Sequence, residues 1–261
     1  MRNEERQALL SYLEQLSDAP DPWFLALEGV APRDGRLLDM RMAVLAVIGQ
    51  ELSPRSAGRV LALLEETLGD EFAEAGRIPF ARLQAAGAAV SERVHWPHVG
   101  QLAGILMACS DFVRGMGLRE RMERSGPHGF VRDMAGDIPF AGRSSPWRLR
   151  PWRLARWIVR GEGGFAPLPA LRGELHVPPS VVARAWRYLD HSVVEESVPA
   201  RQQEWSDKIC HELSPGDPAA TWVPFMLLRR PRGRVWACEQ AFPEGCGSCP
   251  LRRPCDPPPR S

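Results

Sequence analysis

Four of the six cysteines fall in the last 24 residues, spaced Cys238-x7-Cys246-x2-Cys249-x5-Cys255. Pro243, Gly245, Gly247, Pro250 and Pro254 lie among them, exclude helix and force turns, so a short backbone can wrap round a small object. Four thiolates converging from one such loop are the ligand set of a [4Fe–4S] cluster. Zinc also takes four cysteines, but structural zinc sites usually pair two C-x2-C knuckles, and this tail has one. Disulfides need an oxidising compartment, and the opening Met1-Arg2-Asn3-Glu4-Glu5-Arg6-Gln7 lacks the apolar run of a signal peptide. The reading is therefore an iron–sulfur cluster on Cys238, Cys246, Cys249 and Cys255, with zinc or free or paired thiols as the alternatives. Cys109 and Cys210 stand among apolar neighbours at helical spacing and read as small buried hydrophobes.

The second chemistry-bearing stretch is basic. Arg143, Arg148, Arg150, Arg153, Arg156 and Arg160 fall within 18 residues without an acid, interleaved with Trp147, Trp152 and Trp157. Arginines release counterions from nucleic-acid phosphates, and tryptophans stack on unpaired bases. The competing reading is an amphipathic helix with core tryptophans and solvated arginines. Trp152 and Trp157 lie about 140° apart on a helix, so at least one of them turns inward on either reading. The charge is uneven along the chain: 18 Lys and Arg against 12 Asp and Glu from residue 139 onward, and 15 against 20 before it, behind a net charge of +1. A basic half suits a polyanion, of which nucleic acid is the commonest. Among the 33 basic residues Lys208 alone is lysine, which removes amine chemistry from nearly every position. His95-Trp96-Pro97-His98 is not read as a metal pair, because the proline breaks the one-turn geometry. Gly161-Glu162-Gly163-Gly164 reads as a flexible turn.

The elements that must position these groups are helical. Leu9, Leu10, Tyr12, Leu13 and Leu16 recur at helical spacing. Leu38 to Gln50 is a nearly continuous apolar segment, long enough for a buried helix. Ser53-Pro54 is an N-cap followed by proline at the first helical position, which starts a helix from about Pro54 to Leu68. Further helices are expected over Pro97 to Val113, Pro151 to Arg160, Pro178 to Tyr188 and Gln202 to Glu212. Residues 125–146 read as loop-rich, with Gly126-Pro127, Gly136, Pro139, Gly142 and Ser144-Ser145-Pro146 as breakers. No strand alternation is present, so the fold class is all-α. With 44% hydrophobic and 25% charged residues the composition is globular. No stretch approaches the apolar length of a membrane helix, and a soluble, cytoplasmic protein is expected.

The tail Cys238…Cys246-Gly247-Ser248-Cys249-Pro250-Leu251…Cys255 resembles the cluster loop of the helix-hairpin-helix DNA glycosylases, the superfamily of endonuclease III and the bacterial adenine glycosylase, with its first interval one residue longer. The resemblance extends over roughly residues 39–255 in the order of elements. It implies a two-lobed endonuclease III-like helical fold with a C-terminal cluster loop at 238–255. One lobe would span 39–176 with a degenerate hairpin near Gly142, and a discontinuous one would join 1–38 to 177–261. Ala43 to Gln50 followed by Ser53-Pro54 resembles the family helix whose terminal glutamine wedges into the duplex, which gives Gln50 that role. Arg143, Arg148, Arg150 and Arg153 occupy the place of the hairpin and its following helix. On this resemblance Arg252 and Arg253, between the last two cysteines, would supply further DNA contacts, with Arg229, Arg230, Arg232 and Arg234 just upstream.

The catalytic positions of the family are changed. Its lysine nucleophile falls near Arg148, Pro151, Trp152 and Arg153, and arginine cannot serve as that amine. Its catalytic aspartate falls in Val177 to Arg184 at Pro179, or by a shift of one at Ser180 or Pro178, none of which acts as a carboxylate does. The resemblance thus implies an iron–sulfur protein, monomeric, that binds damaged or distorted double-stranded DNA in repair without the usual chemistry. The alternatives are an active monofunctional glycosylase with a relocated carboxylate (Asp133, Asp137 or Asp190), and a redox or zinc protein that does not touch DNA.

Overall fold

The computed structural model describes residues 3–19, 21, 35–49, 52–96, 98–139, 141, 149–189 and 199–227. Those residues are predominantly helical, and no strand occurs among them. The chain divides into two compact units, one of Met1–Pro22 with Leu175–Ser261 and one of Trp23–Glu174.

The continuous unit is built on α2 (Gly35–Ile48), whose Leu38 and every residue from Met40 to Ile48 are buried. A helix apolar on all sides must be surrounded. It packs against α3 (Pro54–Leu68), α5 (Leu102–Arg114), α7 (Leu149–Arg160) and the 3-10 segment Gly69–Arg77. The buried charge within this helix, Arg41, is 4% exposed and is held by both oxygens of Glu65 on α3. Helix α3 starts as its sequence dictates: the Ser53 hydroxyl accepts from the Ser56 N–H at 3.2 Å, with Pro54 in the first turn. Helix α4 (Phe80–Ser91) lies against α3 and α5.

Helix α6 (Leu118–Asp137) departs from expectation. The breakers Gly126-Pro127 mark a kink within it rather than the start of a loop. Gly126 adopts φ 64°, a conformation that favours glycine, and Pro127 then opens a second helical run in which its missing N–H costs nothing. Beyond the kink Phe130 meets Phe112 edge to face, their centroids 5.9 Å apart, and before it the Arg121 guanidinium sits 4.3 Å from the centroid of the Phe112 ring.

The N-terminus of α6 is capped from another helix. Its N-cap residue, Gly117, has no side chain to offer, and the carboxylate of Asp39 on α2 accepts from the Leu118 N–H. A Cβ on Gly117 would lie 2.9 Å from Asp39 Oδ2, so the glycine makes room for the cap. Burial raises the Asp39 carboxyl to about 6, against the lowering effect of that hydrogen bond. The folded chain therefore holds this proton more tightly than the unfolded chain. Stability from this group is full below about pH 4 and is lost as pH rises through about 6. Asp39→Asn keeps an oxygen for Leu118 and removes the charge. It is expected to stabilise the chain by about 1 kcal/mol above pH 6, discounted for partial exposure, and to do nothing near pH 4. Urea unfolding at both pH values checks this; equal stabilisation at both would reject it.

The discontinuous unit joins the two ends of the chain. Helix α1 (Asn3–Leu16) turns Leu9, Tyr12, Leu13 and Leu16 inward. The Tyr12 hydroxyl donates to the Pro224 carbonyl at 3.1 Å across 212 residues of sequence. Helices α8 (Pro179–Leu189) and α9 (Pro199–Leu213) pack together, and the short α10 (Trp222–Leu227) lies on α8 and α1. Among the described residues no helix is long and apolar enough to cross a membrane.

Candidate nucleic-acid interface and cysteine tail

Helix α7 carries the described part of the basic stretch. At 100° per residue, Arg150, Arg153, Arg156 and Arg160 fall within about 120° of one another, with Trp157 among them. The opposite arc holds Trp152, Leu154, Ala155, Ile158 and Val159, all buried. Both tryptophans belong to the interior. Trp157 is 0% and Trp152 7% exposed, and the Trp152 ring meets His128 edge to face at 5.2 Å. Neither ring is presented to a base.

The arginines divide in two. Arg153 and Arg156 are buried, the latter 1% exposed and ion-paired with Glu162 in the turn after α7. Arg150 and Arg160 are half-buried and remain the reachable members of the arc. A long guanidinium stem can cover apolar surface while its head stays polar, which explains how so basic a helix packs against α2 and α6. Gln50, Arg143, Arg148, Arg252 and Arg253, with Gly142, lie outside the described residues.

The positions matched to the catalytic aspartate open α8. Pro178 and Pro179 are buried and Ser180 is half-buried; the Val181 N–H reaches the Pro178 carbonyl at 2.8 Å. Proline fits this first turn because its missing N–H would be unpaired anyway. Of the acids considered as substitutes, Asp133 pairs with its neighbour Arg132 at 3.3 Å, Asp137 is exposed at the end of α6, and Asp190 lies outside the described residues.

Just before α8, a polar cluster appears that the sequence reading missed. His176 Nδ1 lies 2.5 Å from Asp207 Oδ1 on α9. Gln203 Nε2 donates to the same oxygen at 2.8 Å and to the Val177 carbonyl at 3.4 Å. The buried Ser206 hydroxyl donates to Val177 O at 2.7 Å. The side chains of His176 and Asp207 keep 20% and 24% exposure. Gln203 and Asp207 are four apart and share a helix face, the one signal available in the sequence; His176, 31 residues upstream of Asp207, carries none.

The four tail cysteines lie outside the described residues. The other two are buried. Desolvation raises the Cys109 thiol far above its ordinary value and pushes Cys210 up to about 12, with the Thr221 hydroxyl donating to Cys210 Sγ at 3.2 Å. Such thiols are poor nucleophiles and ligands. Among the described residues no group of three His, Cys, Asp or Glu side chains is placed to hold a metal ion. No family model matches the chain, and comparison with curated proteins and with solved structures gives no match.

Proposed function

We propose that this chain binds distorted or damaged double-stranded DNA as an iron–sulfur relative of the helix-hairpin-helix glycosylases, and does so without their lysine and aspartate chemistry. The observation that carries the reading is the spacing Cys238-x7-Cys246-x2-Cys249-x5-Cys255 in a tail with too many prolines and glycines to form a core of its own. The cluster is structural in this account: metal–thiolate bonds replace the apolar burial that such a segment lacks. A predominantly helical chain with an arginine arc on α7 supports the DNA partner, and prolines at 178 and 179 support the loss of the usual carboxylate.

Binding through phosphates is salt-dependent, because each neutralised phosphate releases counterion. The chain is expected to bind bulged or mismatched duplex more tightly than paired duplex at moderate salt, without releasing a base. Arg150→Gln is expected to weaken binding several-fold on every sequence and to reduce the slope of log K against log salt by about 1. Fluorescence anisotropy over a salt series measures both. Base release from a lesion duplex would favour the glycosylase alternative, and salt-insensitive or absent binding would remove DNA as the partner.

A further inference from the structure

We propose that α4 is the contact face of a symmetric dimer, in which Phe80 of each copy enters a groove beside α4 of the other. A helix at the surface of a folded chain normally turns charged side chains to water. Helix α4 does not. Phe80, Ala81, Gln84, Ala85, Ala88 and Ser91 are exposed and fall within an arc of about 140°. The one charged residue of the helix, Arg82, lies off that arc and pairs with Glu71. Phe80 is 48% exposed, the large hydrophobic side chain that stands out to solvent among the described residues. Further along α4, Gln84, Gly87 and Ala88 form one wall of an open groove of about 230 Å³, and Val99, Gly100 and Ala103 form the other. A cavity of roughly 150 Å³ holds benzene, so the groove has room for a phenyl ring.

The ring and the groove are placed to serve two copies at once. Phe80 is four residues before Gln84 and Ala88 four after it, about 6 Å each way along the axis. A two-fold axis at Gln84 therefore sets two α4 helices antiparallel and lays each Phe80 over Gly87 and Ala88 of the other copy. Such a contact is satisfied by its own symmetry, so it closes as a dimer and not a filament. The charges agree with the antiparallel sense. Glu92, exposed just past Ser91, has the wrong sign for the dipole of its own helix, whose last turn holds no basic residue. The pairing brings it to the N-terminal end of the second α4, where Arg77 is 69% exposed and only 3.4 Å from one carboxylate, that of Glu74. A helix of 12 residues offers a patch about 18 Å long and about 10 Å wide, less than the roughly 800 Å² a side of a standard interface. The dimer is therefore weak, with a Kd on the order of 10–100 μM.

The test is sedimentation velocity of the full chain, with reductant present, from about 5 μM to about 500 μM, a range that brackets such a Kd. The wild type is expected to pass from monomer to dimer. Phe80→Ser removes the inserted ring. Gly100→Gln fills the groove without disturbing its own chain, since a Cβ there meets nothing within 4 Å. Each is expected to raise the Kd at least tenfold, and circular dichroism confirms that each variant folds. Gln84→Arg, which sets like charges face to face on the axis, should do the same, and Gln84→Leu should tighten the pair several-fold. Arg132→Gln, on exposed α6, should associate as the wild type does. A wild type that stays monomeric to the top of the range would leave Phe80 to a different partner and overturn the dimer. Association kept by both Phe80→Ser and Gly100→Gln would overturn it as well.

Discussion

If the tail holds the proposed cluster, replacing Cys249 by serine is expected to strip the purified chain of iron and acid-labile sulfide and to bleach the brown colour that such a cluster gives the anaerobic protein. Serine keeps the size of the side chain and removes the soft thiolate. A cubane that loses one of its four protein ligands is exposed to solvent and rarely survives purification. Iron should drop from about four atoms per chain to well under one, and Cys238→Ser, Cys246→Ser and Cys255→Ser should behave alike. Ligand binding is coupled to folding of the segment that supplies the ligands. The same variants should therefore expose residues 238–255 to protease. Cys109→Ser and Cys210→Ser provide the contrast. Both thiols are buried with raised values, and their replacement should lower stability by about 1–2 kcal/mol while leaving the iron in place. A wild-type chain that is colourless when prepared anaerobically, and holds about one zinc, would move the tail to the zinc alternative.

The second large effect is expected at Arg156. Its guanidinium is 1% exposed and ion-paired with Glu162. Arg156→Ala removes a buried side chain and leaves the Glu162 carboxylate, itself 10% exposed, without that partner. Breaking a buried pair from one side costs about 3–5 kcal/mol. For a chain of this size that corresponds to a fall in Tm of roughly 10 °C. Removing both charges with volume kept is much cheaper, because the carboxylate's charge goes together with its cation's. Arg156→Met combined with Glu162→Gln should recover more than half of the loss. Thermal and urea unfolding of the single and double variants decide it: a single variant within 1 kcal/mol of wild type would mean that water reaches the pair. DNA affinity should change little in the double variant, since a guanidinium committed to Glu162 has nothing to give a phosphate.

Local elements were legible in the sequence, and pairings between distant segments were not. Helix α3 begins at Ser53-Pro54 and ends at Leu68 because capping and propensity are local, and local signals survive translation into structure. The apolar run in α2 read correctly as buried for the same reason. Gly126-Pro127 misled because a glycine–proline pair disturbs one turn, and the rest of the helix resumes when its partners are in place. Arg153 and Arg156 misled more deeply. Charge suggests exposure, yet nothing in the spacing of α7 says that Glu162 waits beyond its end to neutralise Arg156. Asp39 over Gly117, and His176 on Asp207, are pairings between distant segments that no period or motif announces. The acids weighed as catalytic substitutes were chosen by nearness in sequence, and that criterion passed over Asp207.

The bond from Tyr12 to the Pro224 carbonyl has a consequence during synthesis. The apolar face of α1 is synthesised some 212 residues before the partner that Tyr12 bonds in α10. At typical elongation rates that face waits on the order of 10–40 s for its partners. The continuous unit meanwhile emerges whole and is free to condense on its own. A nascent chain stalled before α10 would thus carry a finished continuous unit and an uncovered α1, an invitation to trigger-type holdases. Moving α1 to follow α10 by circular permutation would bring those partners together at once and shorten the interval of exposure.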